Sequence, residues 1–257
     1  MALCRRDFRK ESGLFDRLRA GLMFRVLAVC AFLVCSALGA DEPLPDAKPL
    51  LTKPGKLLFS EDLKEVPHER DKRNKVRRGE WQSGKGKWEI KDGVLVGAEK
   101  PEEHHGAMLT KPGLAFHNAA IGVSFRLDGA KRITLDANSQ ALGRIIAASI
   151  SSTELTLFRS IAGGDKMEVL DKVPLKLAAG TWYMLLLEMQ GQEVVASIDG
   201  NQTAFGAGER IDVDKTSVQL RVGGESVAFK NLRVWEATPS DTWEVTKAKL
   251  LEERKTK

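Results

Sequence analysis

From Trp81 to Trp235 the chain is governed by a period of two. Ile121, Val123, Phe125 and Leu127 alternate with Gly122, Ser124, Arg126 and Asp128, and Ile133, Leu135 and Ala137 alternate with Arg132, Thr134, Asp136 and Asn138. Val194, Ala196 and Ile198 run into an Asp199-Gly200 turn, and Val218, Leu220 and Val222 flank Gln219 and Arg221. Such a period sends alternate side chains to opposite faces of a strand, so it predicts two sheets packed on their apolar faces. Trp182 to Met189 is apolar on both faces and lies between Gly180 and Gly191, which favours a central strand over a short helix. The pattern opens on a hairpin, Trp88-Glu89-Ile90-Lys91 and Val94-Leu95-Val96 about an Asp92-Gly93 turn of positive φ. It closes on Val227 to Trp235, where the Lys230-Asn231 step breaks alternation as a bulge does. The two ends are expected in one sheet. Phe125, Leu135, Leu186, Leu220 and Phe229 are expected to be buried together, with Trp88 in the core and Trp235 covered by a terminal helix.

The flanks read differently. Pro43, Pro45, Pro49 and Pro54 mark residues 41–55 as a linker, and Lys56 to Phe59 as a first edge strand. Glu69 to Arg78 holds six basic residues among ten and reads as a solvated loop, with a polyanion-binding patch as the sharper reading. After Pro239, Asp241 and Glu244 can start a helix that runs through Trp243, Leu250 and Leu251. The expected division is a signal peptide at 1–40, a linker at 41–55, a sandwich domain at 56–238 and a helix or tail at 239–257.

The leader alters the bulk properties. Arg25 precedes an apolar run from Val26 to Cys35, and small residues Ala37, Gly39 and Ala40 follow, which is the pattern of a cleaved export signal. Met23 is an alternative start. The run is too short to span a bilayer, so a mature chain without a membrane span, periplasmic or extracellular, is expected. Cys4, Cys30 and Cys35 all fall in the leader, so the mature domain has no disulfide and no thiolate chemistry. Removing residues 1–40 lowers the net charge from +5 to +1, which argues against a nucleic-acid partner.

Four features together carry a resemblance: the Trp-containing opening hairpin, the Asp92-Gly93 turn, the Ala137-Asn138 step after a long strand, and the closing Phe229-Lys230-Asn231-Leu232-Arg233-Val234. Over roughly Leu58 to Ala237 the chain resembles the 3-keto-disaccharide hydrolase domain family. The resemblance implies an all-β, two-sheet antiparallel jelly-roll sandwich of concanavalin A type, here with a C-terminal helix. It also implies a saccharide ligand and hydrolysis of a glycoside whose C3 ketone acidifies the C2 proton. That chemistry needs a general base and groups that polarise the ketone. The Glu-x-Asp-x-Glu strand of laminarinase-like jelly rolls does not occur, so a retaining glycosidase of that kind is disfavoured.

Catalytic residues are not assigned by the sequence. Glu102-Glu103-His104-His105 offers one histidine as base with Glu103 orienting it, or simply a polar loop end; in an extended segment the two histidines would face opposite ways. Arg126, Asp136 and Asn138, extended by Gln219 and Arg221, form the candidate substrate-binding set, with Arg126 and Asp136 facing each other if their strands pair. The alternative is a solvated sheet face. Asn138 carries over from the family's Ala-Asn step. No cofactor is predicted, with calcium the one possibility. Asp212 and Asp214, two carboxylates on one side of an extended segment, are a candidate calcium site or plain surface. Besides a hydrolase, a non-catalytic carbohydrate-binding or adhesion module and a structural envelope protein remain open.

Overall fold

The opening hairpin forms as the sequence predicts. Asp92 and Gly93 both hold positive φ, 52° and 76°, and Lys91 pairs with Val94 across them. Trp88 lies opposite Gly97, where an added Cβ would stand 2.5 Å from the indole. Glycine there lets the ring pack down, 6.2 Å from the Phe229 ring, while its Nε1 donates to the Lys85 carbonyl.

The computed structural model describes residues 48–65, 68–69, 80–162 and 166–255. The leader and the basic residues at 70–78 lie outside them. In chain order the strands are β1 (Thr52–Glu61), β2 (His68–Glu69), β3 (Gln82–Lys85), β4 (Lys87–Lys91), β5 (Val94–Ala98) and β6 (Ala107–Phe116). Next come β7 (Ala119–Leu127), β8 (Ala130–Ser139), β9 (Gly143–Ile150), β10 (Glu154–Ala162) and β11 (Lys166–Pro174). The last are β12 (Trp182–Gln190), β13 (Glu193–Ile198), β14 (Gln202–Ala207), β15 (Lys215–Gly224) and β16 (Val227–Pro239), followed by helix α1 (Trp243–Lys255). Sheet I has the order β14-β13-β12-β7-β16-β5-β4, with β1 also on β16. Sheet II has the order β11-β10-β9-β8-β15-β6-β3-β2. All pairings are antiparallel except the short β2–β3 pair. This is a two-sheet jelly-roll sandwich with a C-terminal helix.

The closing strand works as a hinge between partners. β16 pairs with β5 over Val227 to Phe229 and with β1 over Leu232 to Pro239. The register against β7 shifts between Lys230 and Arg233, and Asn231 takes φ 54° there, so the expected bulge falls where one partner gives way to the next. The first strand begins at Thr52, four residues before the expected Lys56. Glu188 explains why: its carboxylate accepts the Leu50 N–H at 3.0 Å, the Thr52 N–H at 2.8 Å and the Thr52 hydroxyl at 2.8 Å. A proline-rich segment is thereby laid along the sheet.

Between the sheets Phe125, Leu135, Leu220 and Phe229 share one core. Leu186 is buried too, but on the outer face of sheet I beside Ala120, Trp235 and Leu57. Trp235 is thus covered by β1 and not by the helix. α1 instead sets Trp243 against Phe205, Val195 and Leu51, rings 5.8 Å apart and edge-on. Among the described residues no helix is long and apolar enough to cross a membrane.

Candidate functional site

The outer face of sheet II gathers the polar side chains. Leu135, Ala137 and Leu220 point into the core, so Thr134, Asp136 and Asn138 on β8 and Gln219 and Arg221 on β15 must point outward. β15 is the direct neighbour of β8, with Gln219 opposite Asp136 and Arg221 opposite Thr134. On the other side of β8, Asp136 lies opposite Ala147 of β9.

Arg144 reaches this face through an irregularity. β8 and β9 are in register at Ala137–Ile146, but the next pair is Asn138–Arg144, which skips Ile145. Ile145 and Ile146 are both buried in the core. The extra residue shifts the phase, so Arg144 emerges on the same face as Ala147.

A connected polar network results. Gln219 Nε2 donates to Thr110 Oγ1 at 2.7 Å, and Arg221 Nε donates to Gln219 Oε1 at 2.7 Å. The same Nε stands 2.6 Å from Asp136 Oδ2, and Arg144 Nε stands 3.5 Å from Asp136 Oδ1. Asp136 has no exposed surface, whereas the arginine side chains are about a quarter exposed, 27% and 25%. Burial pushes the Asp136 carboxyl above its ordinary range, and the charges of Arg221 and Arg144 oppose that push. Burial likewise lowers Arg221, against the pull of Asp136. The two cations offset part of the cost of burying the carboxylate, and it in turn fixes their direction.

Above this network is a cavity of about 430 Å³. Its polar wall is made by Arg132, Arg144 and Arg221, and its apolar wall by Phe158 and Met167. Ala147 and Ser149 lie between them. His104 and His105 border one end. A Cβ on Gly106 would stand 2.8 Å from the Val222 carbonyl, so glycine is what lets the histidine loop settle on β15. A second cavity of about 580 Å³ shares Arg132, Ser149 and Phe158 and continues toward Thr156 and Lys172.

The structure brings together Asp136, Arg221, His104 and His105, and it separates Arg126. β7 and β8 follow each other in sequence but lie in different sheets. Arg126 is on the outer face of sheet I, bound to Asp128 at 2.7 and 2.8 Å and stacked 5.1 Å from the Trp182 ring. The expected Arg126–Asp136 juxtaposition across a groove is therefore corrected. Asn138 stays on the outer face of β8, opposite Arg144, but does not itself line the cavity. Glu103 orients neither histidine; its carboxylate accepts the Gly86 N–H at 2.7 Å. His104 takes φ 48°, so the segment is not extended, and both histidines border the same space.

Asp212 and Asp214 clamp His117. Its Nε2 is 2.7 Å from Asp212 and its Nδ1 is 2.8 Å from Asp214, and these two hydrogen bonds raise the imidazole above its ordinary value. Behind them Lys215 is fully buried, donates to the His117 and Ile211 carbonyls, and is lowered by burial to about 8. An imidazole between two carboxylates does not suit calcium, which takes six to eight oxygen ligands. Among the described residues no group of three or more His, Cys, Asp or Glu is arranged to hold a metal ion.

Sequence reasoning missed Arg144 and Phe158. Arg144 had no signal, because a bulge set its phase. Phe158 follows Leu155-Thr156-Leu157, where it is in phase with the outward Thr156, and that was a usable cue.

No family model and no curated protein sequence matches this chain. Among solved structures it is similar to carbohydrate binding module CBM66 from Bacillus subtilis, at TM-score 0.51 and 13% identity over 62% of this chain and 96% of that one. It is also similar to a Bacillus subtilis protein of unknown function with a galectin-like fold, at TM-score 0.52 and 14% identity, covering 74% of this chain and 100% of that one. The Bacillus licheniformis β-glucanase matches at TM-score 0.50 and 11% identity over 71% and 98%. At such identities the likeness is one of fold, the concanavalin A-like jelly roll.

Proposed function

We propose that this protein recognises a saccharide on the outer face of sheet II and does so outside the cytoplasm. The observation that carries the reading is the cavity wall pairing: arginines preset by a buried Asp136 stand opposite Phe158 and Met167. A sugar presents hydroxyls at its edge and a C–H face on its ring, and it is held by fixed donors on one side and an apolar surface on the other. Two structural neighbours of this fold are a carbohydrate binding module and a β-glucanase. Export rests on the leader, with its short apolar run and small residues before Asp41.

A second reading, hydrolysis of a 3-keto-glycoside, is favoured by the histidines at the cavity's end. His104 or His105 would take the C2 proton while Arg221 and Arg144 stabilise the enolate oxygen. The electron pair forms a C1–C2 double bond as the glycosidic C–O bond breaks, the leaving oxygen takes a proton, and water then adds across the double bond. The paired carboxylates of a retaining glycosidase do not line this cavity among the described residues. Incubating the full chain with 3-keto-glycosides, and with ordinary disaccharides as controls, tests this reading. Release of the free sugar from the keto substrates alone supports it. Tight binding without release leaves recognition as the function, and neither binding nor release overturns both.

A further inference from the structure

Resting on the saccharide reading above, we infer that the ligand is an acidic saccharide, with a carboxylate or sulfate seated among Arg132, Arg144 and Arg221. The charge of the cavity carries the inference. Three guanidinium groups line it, no carboxylate does so among the described residues, and Asp136 is fully buried beneath two of them. Asp136 can offset one positive charge and cannot touch a ligand. The Arg132 side chain is exposed and has no ion pair or hydrogen bond among the described residues. The Arg144 side chain lines the cavity and is about a quarter exposed, so part of its guanidinium faces the space a ligand would fill. A neutral sugar needs donors and acceptors together, whereas this wall offers an excess of donors. Guanidinium groups suit planar or tetrahedral oxyanions because they donate two parallel hydrogen bonds.

The excess is local. In the adjoining cavity Lys172 pairs with Glu154 at 3.4 Å, and Glu99 and Lys131 border the same space. Apart from the shared Arg132, cations and anions balance there, so a neutral stretch of the chain suits that half and the charged group suits the arginine half.

The test uses calorimetric titration of the full chain with three probes on one backbone: a galacturonic acid trisaccharide, a sulfated galactose trisaccharide and the neutral galactose trisaccharide. At least one acidic probe is expected to bind about tenfold or more tighter than the neutral one, and the stronger of the two identifies the anion. That advantage should shrink as salt rises from 0.05 to 0.5 M, since the site is open to solvent. Arg132→Gln, at an exposed position that leaves the core intact, should remove most of that advantage. Equal binding of all three probes overturns the inference and leaves saccharide recognition standing. Binding of none overturns both.

Discussion

Arg221 Nε lies 2.6 Å from the Oδ2 of Asp136, one strand over and offset diagonally, and Asp136 is sealed from solvent. The carboxylate is therefore a positioning group for the arginine above it. Breaking a buried ion pair from one side strands a charge, at a cost of about 3–5 kcal/mol when burial is complete. Arg221 and Arg144 are partly exposed, so Asp136→Asn is expected to cost about 2 kcal/mol, measured by urea unfolding. In a double-mutant cycle, Asp136→Asn with Arg221→Gln should cost clearly less than the sum of the single changes. Additive costs would show the two residues to be uncoupled.

Phe125 is completely buried, 5.9 Å from the Tyr183 ring and opposite Phe229 of β16. Phe125→Ala is expected to destabilise the sandwich by about 3–5 kcal/mol, the range for truncating a buried phenylalanine. A change near zero in denaturant unfolding would mean that the interface between the sheets is misassigned.

The sheets themselves were legible because alternation is enforced at every residue of a strand packed on one face. The Asp92-Gly93 turn, the burial of Trp88 and the Asn231 bulge follow from local chemistry alone. What was not legible is which strands become neighbours. Ile121–Leu127 and Ile133–Ala137 look like a hairpin pair, yet the chain crosses from sheet I to sheet II between them, and no local pattern records that crossing. The error over Arg126 comes from this. Leu186 and Trp235 were hard for a related reason: an apolar residue of outward phase is buried only if something else, here β1, lies over it. In the candidate site, Asp136 and Arg221 were visible as outward polar residues. Arg144 was hidden by the register slip at Ile145, and the burial of Asp136 depends on side chains from two other strands.

His117 ties the Asp212–Asp214 loop to the start of β7. Its folded value is raised above 6.5 by the two carboxylates. A raised value means that the folded state binds the proton more tightly, so the stabilisation is full below pH 6.5 and is lost as pH rises through the folded value. His117→Asn should therefore lower the melting temperature relative to wild type at pH 6 and have little effect at alkaline pH. A difference that is constant with pH would contradict the clamp. Half of the imidazole is exposed, so a modest shift is expected.

Because His117 occupies the space between Asp212 and Asp214, millimolar calcium should leave the melting temperature of the protein unchanged near neutral pH. A calcium-dependent rise that EDTA reverses, and that Asp212→Asn abolishes, would show that the loop rearranges to bind the ion.

Saccharide recognition on the outer face of sheet II is tested most directly by calorimetric titration of a saccharide panel into wild type, Arg221→Ala and Phe158→Ala. These residues form opposite walls of one cavity, so each truncation should weaken binding of the preferred saccharide by roughly 1–3 kcal/mol, about fivefold to more than a hundredfold in Kd. Truncating Trp182, on the outer face of sheet I, should leave that affinity unchanged. Saccharide binding that survives both cavity truncations at full strength would contradict the account.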